Sequence, residues 1–240
     1  MSDAGLELAR ERLAAASSVA VLSGAGISAE SGIPTFRGAG GLWKTFRPEE
    51  LATPEAFARD PRLVWEWYNW RREIIARAEP NPAHRALVKL ETAKPRFTLI
   101  TQNVDGLHDA AGSRRILKLH GDIWQLRCTV CGADWIDRSA SLRTVPPLCV
   151  CGGLARPAVV WFGEMLPPEI LREAQREAEQ AEVFLLIGTS AVVYPAAGLA
   201  PSAKASGATV IEINLDPTPF SRLVDFTFQG QAGDLLPRLV

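Results

Sequence analysis

The run Val19-Ala20-Val21-Leu22 passes without a break into Gly24-Ala25-Gly26-Ile27-Ser28-Ala29, and no other segment restricts the fold so tightly. A short, wholly apolar run reads as a buried strand. Behind it, the G-x-G-x-x-A pattern is the turn by which a parallel strand enters a helix in dinucleotide-binding sheets. The first glycine permits the turn, the second lets backbone amides approach a pyrophosphate, and the small residue at 29 lets the helix pack close to the sheet. A helix start also favours an anion. The chain then departs from that pattern. After about one helical turn it breaks at Gly32-Ile33-Pro34 and ends in Phe36-Arg37. The usual second strand, with an acid about 20 residues on for a ribose, does not follow. Glu49 and Glu50 stand at that distance, but next to Pro48 and outside any strand pattern.

At 240 residues the chain can bury one large core and a smaller module. A net charge of −1 argues against a general nucleic-acid binder, which needs a basic face. No apolar run reaches the roughly 18 residues of a membrane span. The start, Met1 to Glu7, is acidic where a secretory signal is basic. A soluble, cytoplasmic protein is expected, and a monomer, because no long apolar segment lacks a place in the fold proposed below.

Apolar runs at 19–23, 97–101, 116–120, 183–187 and 209–213 predict strands buried on both faces of a parallel sheet. Helical patterns at 5–16, 82–93, 167–180 and 195–206 accompany them, and the alternation predicts an α/β, Rossmann-like, doubly wound sheet. Two stretches break the rhythm. Residues 38–80 hold no clear strand and carry a Trp- and Tyr-rich helix near 61–78, and residues 122–156 hold the cysteines and a Pro-Pro turn. Both read as insertions that form a smaller helical and zinc-binding lobe. The nucleotide-binding domain is then 1–37, 81–121 and 157–240.

All four cysteines lie in one insertion, as Cys128-x2-Cys131, 17 residues, and Cys149-x-Cys151. In a reducing compartment such a cluster suits a metal better than disulfides. Two thiolate pairs fit a closed tetrahedral zinc site, and four cysteines leave no open position for catalysis. The second pair has one intervening residue where two are commoner.

Ligands of doubly wound sheets bind beyond the carboxyl ends of the strands. Here those ends read Thr101-Gln102-Asn103-Val104-Asp105-Gly106-Leu107-His108, His120-Gly121-Asp122, Gly188-Thr189-Ser190 and Asn214-Leu215-Asp216. Singly, Asn-x-Asp-Gly is as good a turn and Gly-Thr-Ser as good a helix cap. On successive strands they predict one polar rim around a nucleotide.

Taken together, Gly24-Ala25-Gly26-Ile27-Ser28, Gly32-Ile33-Pro34-Thr35-Phe36-Arg37, Thr101-Gln102-Asn103-Val104-Asp105, His120-Gly121, Val160-Trp161-Phe162-Gly163-Glu164, Gly188-Thr189-Ser190 and Asn214-Leu215-Asp216 resemble the sirtuins, the Sir2 family of NAD-dependent protein lysine deacylases, in family order. The resemblance implies that NAD is consumed. The acyl-lysine oxygen attacks C1′ of the nicotinamide ribose, nicotinamide leaves, and the acyl group ends on ADP-ribose. It implies His120 as the general base toward a ribose hydroxyl, a task suited to imidazole. It implies NAD contacts from Gly24, Ala25, Gly26, Ala29, Glu30, Pro34, Thr35, Phe36, Arg37, Trp43, Gln102, Asn103, Val104, Asp105, Gly188, Thr189, Ser190, Asn214, Leu215, Asp216 and Ala232. Asn103 and Asp105 would hold the carboxamide, Phe36 would shield the ribose, and Arg37 would meet phosphate. Val160, Trp161, Phe162, Gly163 and Glu164 resemble a strand that pairs with an extended substrate peptide. His84, after Asn81-Pro82, resembles a structural position, and His108 carries no catalytic role. The same scaffold leaves open a protein ADP-ribosyltransferase or a non-catalytic NAD or ADP-ribose sensor.

Within Trp65-Glu66-Trp67-Tyr68-Asn69-Trp70-Arg71-Arg72, Tyr68 and Arg71 are three apart and share a helix face. That face also carries Trp67, Ile74 and Ile75, and Arg71 has no acid at i±3 or i±4. A guanidinium on an apolar face calls for an anion, unless it snorkels to solvent or pairs with a distant acid. The pair resembles the Tyr-x-x-Arg of the sirtuin class that removes malonyl, succinyl and related acidic acyl groups, some members of which also remove acetyl. Ala52-Thr53-Pro54 resembles that class too, its small alanine leaving room for a longer acyl chain.

Overall fold

The computed structural model describes residues 3–37 and 41–240. The first two residues of the expected nucleotide-binding domain and the first three of the helical insertion lie outside the described residues. In chain order the elements are α1 (Asp3–Ala15), β1 (Ser18–Ser23), α2 (Pro48–Leu51), α3 (Pro54–Arg59), α4 (Pro61–Ile75), α5 (Pro82–Ala93), β2 (Arg96–Thr101), α6 (Leu107–Ala111), β3 (Ile116–Lys118), β4 (Gly121–Cys128), β5 (Asp134–Ile136), β6 (Ala155–Val159), α7 (Pro168–Glu179), β7 (Val183–Ile187), α8 (Leu199–Ala205), β8 (Thr209–Asn214), β9 (Phe226–Gln229) and α9 (Ala232–Leu239).

The large sheet runs β3-β2-β1-β7-β8-β9 with every neighbour parallel. This is the strand order of a doubly wound dinucleotide fold, and its direction reverses between β1 and β7. Alternation along β1 divides the core. Val19 and Val21 pack under α1, α5 and α9, while Ala20 and Leu22 face α7 and α8. Each Val or Leu side chain so buried contributes roughly 1.5–3 kcal/mol, which is why the strands are continuous apolar runs. Pro at the first turn and a side-chain cap start α3, α4 and α5: Thr53, Asp60 and Asn81 accept from backbone N–H groups of the opening turns.

Several elements differ from the sequence reading. β3 stops at Lys118, leaving Leu119 and His120 beyond the strand. The segment after β1 is a 3-10 helix, Ala25–Ser31, ended by Gly32 in the left-handed region at φ 85°. The 195–206 helix opens with a 3-10 turn, Ala196–Gly198, before α8. β9 and α9 have no counterpart among the expected elements. β9 is a four-residue edge strand, and α9 holds Gly233 and an internal Pro237, both poor helix formers.

The smaller lobe has its own antiparallel sheet, β5-β4-β6. Its core joins α2–α4 to that sheet: Leu51, Phe57, Val64, Trp65 and Tyr68 pack with Ile123, Leu126, Ala155 and Trp161. No described helix is long and apolar enough to cross a membrane.

Candidate active site

The site begins where β1 and β7 end side by side. Gly24 N–H donates to Ile187 O at 3.0 Å and Gly26 N–H to Gly188 O at 2.7 Å. A Cβ on Gly26 would lie 2.7 Å from Gly188 O, and one on Gly24 would lie 2.7 Å from Thr189 Cβ. Both glycines are therefore required by close contact with the β7 end. Because the Gly26 amide is already bonded to Gly188, the second glycine works by close approach to β7, not by offering its own N–H to a phosphate.

Thr189 is the hub of the rim. Its Oγ1 accepts from Gln102 Nε2 at 2.9 Å, and its carbonyl accepts from Asn214 Nδ2 at 2.6 Å, so the ends of β2, β7 and β8 are tied together. Glu30 Oε2 accepts Gly233 N–H at 2.7 Å, joining the first loop to the start of α9 beside Ala232. Gly26, Ala29, Glu30, Gly188, Asn214, Leu215 and Ala232 line a cavity of about 160 Å³. That is small beside the roughly 300–1,000 Å³ of whole-ligand pockets, so this cavity has room for only part of a dinucleotide. Of its lining residues Leu215 is exposed; Ser190, Asp216 and Arg37 are exposed and do not line it.

His120 lies past β3 with Nδ1 3.0 Å from Gln102 O. A carbonyl only accepts, so Nδ1 carries the proton and Nε2 presents a lone pair. Burial pushes the His120 pKa down, against the opposing pull of the Gln102 carbonyl, so the neutral base is the form present near pH 7. Asn103 and Asp105 are buried. Asn103 Nδ2 donates to Ser28 Oγ at 3.2 Å, and Ser28 Oγ donates to Asp105 Oδ2 at 2.9 Å. Asp105 also accepts Leu107 N–H at 2.8 Å. Burial raises its pKa, opposed by these two donors.

Ser28 is absent from the site residues expected from sequence, although it stands in the glycine motif. Two buried histidines each meet a serine hydroxyl here. His84 accepts Asn81 N–H on Nδ1 at 3.3 Å and places Nε2 3.5 Å from Ser28 Oγ. His108 Nε2 lies 2.9 Å from Ser23 Oγ, which is bonded to Thr101.

An aromatic layer covers the side toward the smaller lobe. Trp43 lies 5.1 Å from Phe36, 5.8 Å from Trp67 and 6.0 Å from Phe162. Arg71 is 6% exposed, and its guanidinium stands over Phe36 at 4.6 Å and Trp67 at 5.1 Å. Among the described residues it has neither a hydrogen-bond acceptor nor an ion-pair partner. Burial lowers its pKa, yet a guanidinium remains charged. Tyr68, 2% exposed, accepts from Trp161 Nε1 at 2.8 Å, and burial raises its pKa. Pro34, Thr35 and Val104 are half-buried nearby. Val104 O accepts Ile123 N–H and Thr35 O accepts Leu42 N–H, both at 2.9 Å.

Residues Val160–Glu164 are not a strand. β6 ends at Val159, Gly163 takes φ 87°, and Glu164 Oε2 accepts Trp161 N–H at 2.8 Å to close a turn. Val160 N–H donates to His120 O and Phe162 N–H to Ala52 O, each at 2.9 Å, so these amides brace the site internally. Arg156, which no sequence pattern marks, holds the turn. It forks onto both Glu164 oxygens at 2.6 and 2.8 Å and stacks on Trp161 at 3.4 Å. The turn brings partners eight residues apart together, a proximity no strand or helix period reveals. A separate, larger cavity of about 460 Å³ between α2 and α4 is lined by Phe46, Leu51, Leu63 and Trp70 and lies away from the rim.

The Sγ atoms of Cys128, Cys131, Cys149 and Cys151 all lie within 4.8 Å of one another. Cys128–Cys151 is 3.5 Å and Cys131–Cys149 3.7 Å. Four sulfurs about 2.3 Å from one ion in a tetrahedron are separated by about 3.8 Å, so the set fits zinc. Val130 and Cys131 N–H both donate to Cys128 Sγ at 3.4 Å. The short second spacing is accommodated by a turn in which Gly152 N–H donates to Cys149 O at 2.9 Å, with Gly152 at φ 82°.

Fold and site together define a dinucleotide-binding α/β protein whose second lobe is built on a four-cysteine metal module. The chain belongs to the Sir2 family: the Sir2 family model matches residues 24–195. It is 54% identical over 222 residues to an NAD-dependent protein deacylase of Aquifex aeolicus, covering 92% of this chain and 93% of that protein. A mutant Sir2 homologue solved with ADP-ribose superposes with a TM-score of 0.94 at 49% identity, over 100% of this chain and 95% of the other. A Sir2–p53 peptide–NAD+ complex superposes with a TM-score of 0.85 at 32% identity, over 95% and 94%.

Proposed function

We propose that the protein is an NAD-dependent protein lysine deacylase that prefers acidic acyl groups, succinyl and malonyl, over acetyl. Family membership and the deacylase relative support the general activity. The observation that carries the preference is Arg71, a buried guanidinium that has no acceptor among the described residues, beside a Tyr68 hydroxyl whose own proton meets no acceptor among them. An acyl carboxylate supplies the missing acceptor to both.

NAD, as co-substrate, supplies the electrophilic ribose carbon. His120 Nε2 accepts the proton of a ribose hydroxyl. Asn103 and Asp105, fixed through Ser28, orient the carboxamide end, and Phe36 shields the ribose. Gly24, Ala25, Gly26, Ala29, Glu30, residues 188–190 and 214–216 and Ala232 hold the adenosine and phosphates. The turn Val160–Glu164 borders the acyl-lysine, with the peptide as the partner. The cysteines hold one structural zinc, which knits the smaller lobe, with boundaries as given above.

Acetyl-, malonyl- and succinyl-lysine peptides compared at fixed NAD test this reading. We expect the acidic acyl groups to be removed with the higher kcat/KM, with O-acyl-ADP-ribose formed, and Arg71→Met to reduce desuccinylation far more than deacetylation. Equal losses for both substrates would refute the preference. Labelled protein without deacylation would instead mark an ADP-ribosyltransferase.

A further inference from the structure

Helix α4 carries two sets of contacts. Trp67 and Arg71, four apart, turn toward Phe36 and the site. Trp65, Tyr68, Asn69 and Arg72 follow the i, i+3, i+4, i+7 spacing of a second face, and each is bonded to the segment between β4 and Trp161. Trp65 Nε1 donates to Ala155 O at 2.8 Å. Asn69 forms a reciprocal pair with the Leu142 backbone, donating to its carbonyl and accepting its N–H, both at 3.1 Å. Arg72, 0% exposed, donates through Nε to Ser139 O at 3.1 Å and through Nη2 to Asp137 O at 2.5 Å and Asp137 Oδ1 at 2.8 Å. Asp137 N–H in turn donates to Trp124 O on β4 at 2.8 Å, the strand that ends at Cys128.

We infer that the cysteine module sets the pose of α4 through the 137–142 loop, making Asn69 and Arg72 positioning residues for acyl-group selection. The inference rests on the reading of Tyr68 and Arg71 as a carboxylate pair. A buried guanidinium that loses its carboxylate partner is strongly penalised. Arg72 and the loop therefore move as one body, and any shift of the loop carries Arg71 with it. An anion clamp is sensitive to such a shift, because its bidentate contact requires alignment to a fraction of an ångström. An acetyl group, lacking the carboxylate, does not feel it.

Asn69→Ala tests this without stripping a buried charge. We expect KM for a succinyl-lysine peptide to rise about tenfold, with KM for the acetyl-lysine peptide and for NAD within about twofold and kcat kept. Asp137→Asn, which retains Oδ1, should restore most of what Asp137→Ala loses. Amide hydrogen exchange across residues 61–75 should quicken in Asn69→Ala, and also in the wild type when a chelator removes zinc. Parallel rises in both peptide KM values, or exchange in α4 indifferent to zinc removal, would overturn the inference. If the wild type prefers succinyl and Arg71→Met abolishes that preference while Asn69→Ala does not, only this inference falls. If the wild type shows no preference, the carboxylate reading falls and this one with it.

Discussion

The Trp161 indole N–H donates to the Tyr68 hydroxyl across 2.8 Å. An indole cannot accept, so the phenolic proton of Tyr68 must find its acceptor elsewhere, and no described residue provides one. Burial raises the Tyr68 pKa and keeps that proton in place near neutral pH.

On the proposed reading, Tyr68→Phe removes one donor to the acyl carboxylate and leaves the Trp161 N–H unpaired. A hydrogen bond to a charged group is worth about 1.5–3 kcal/mol, so kcat/KM for a succinyl-lysine peptide should fall about 10–100-fold. Deacetylation should change by less than about threefold, a loss smaller than one hydrogen bond to a charge. Steady-state kinetics on the two peptides check this.

His120 is held neutral by burial, and its Nδ1 proton is committed to Gln102 O. As the proposed general base, His120 acts when unprotonated, so the acid limb of kcat/KM should lie below the ordinary histidine value of 6.5. Activity should stay level as pH falls through that value and be lost only as Nε2 protonates. His120→Ala should cost about 10²–10⁴-fold across the range. A pH profile of nicotinamide release reads both.

What could be read from the chain followed the reach of each interaction. The start of α5 was legible because Asn81-Pro82 caps it locally, and the helix spans Pro82–Ala93 as expected. The central strands were legible because burial on both faces leaves an apolar run. β9 is too short to stand out, and α9 is disguised by Gly233 and Pro237. In the site, Asn103 and Asp105 could be placed at a strand end from the apolar run before them. Their joining by Ser28 could not, since 75 and 77 residues separate the partners and only the sheet order brings them together. The strand expected at Val160–Glu164 rests on the resemblance alone, and the Glu164 carboxylate that closes the turn acts through a side chain, which no sequence period reports.

Cys131→Ser removes one thiolate from a site whose four sulfurs are already spaced for an ion. Bound zinc should fall well below about one per chain, and the unfolding midpoint should drop by at least about 5 °C, because metal binding in such sites is folding free energy. Metal analysis alongside a thermal melt measures both.

The His84 ring is fully buried, and its pKa is lowered by that burial to about 4 from 6.5. The unfolded chain therefore binds a proton at this residue between those values while the folded chain does not. Stability is held above the unfolded value and lost as pH falls toward the folded one, by about 3 kcal/mol from this one group. His108, lowered in the same direction by burial, steepens the loss. His84→Gln keeps an acceptor at the third helical position for the cap of α5 and should flatten the dependence. Urea unfolding at several pH values between about 7 and 4.5 tests it.

Gly188 separates conformational strain from collision. Its φ is 58°, and a Cβ there would lie 2.4 Å from Ile27 N and 2.7 Å from Gly26 C. Gly207 has φ 96°, and a Cβ there would meet nothing within 4 Å. Gly207→Ala meets only the strain of a left-handed backbone, about 1–2 kcal/mol, and should leave KM for NAD unchanged. Gly188→Ala meets the same strain and also pushes the glycine turn off β7, adding about 1–3 kcal/mol of overpacking. Since the rim depends on that contact, KM for NAD should rise about tenfold or more while the proposed acyl preference, assigned to Tyr68 and Arg71 more than a hundred residues away, stays the same. A Gly188→Ala enzyme with wild-type KM for NAD would show that the close approach of the two loops matters to stability alone.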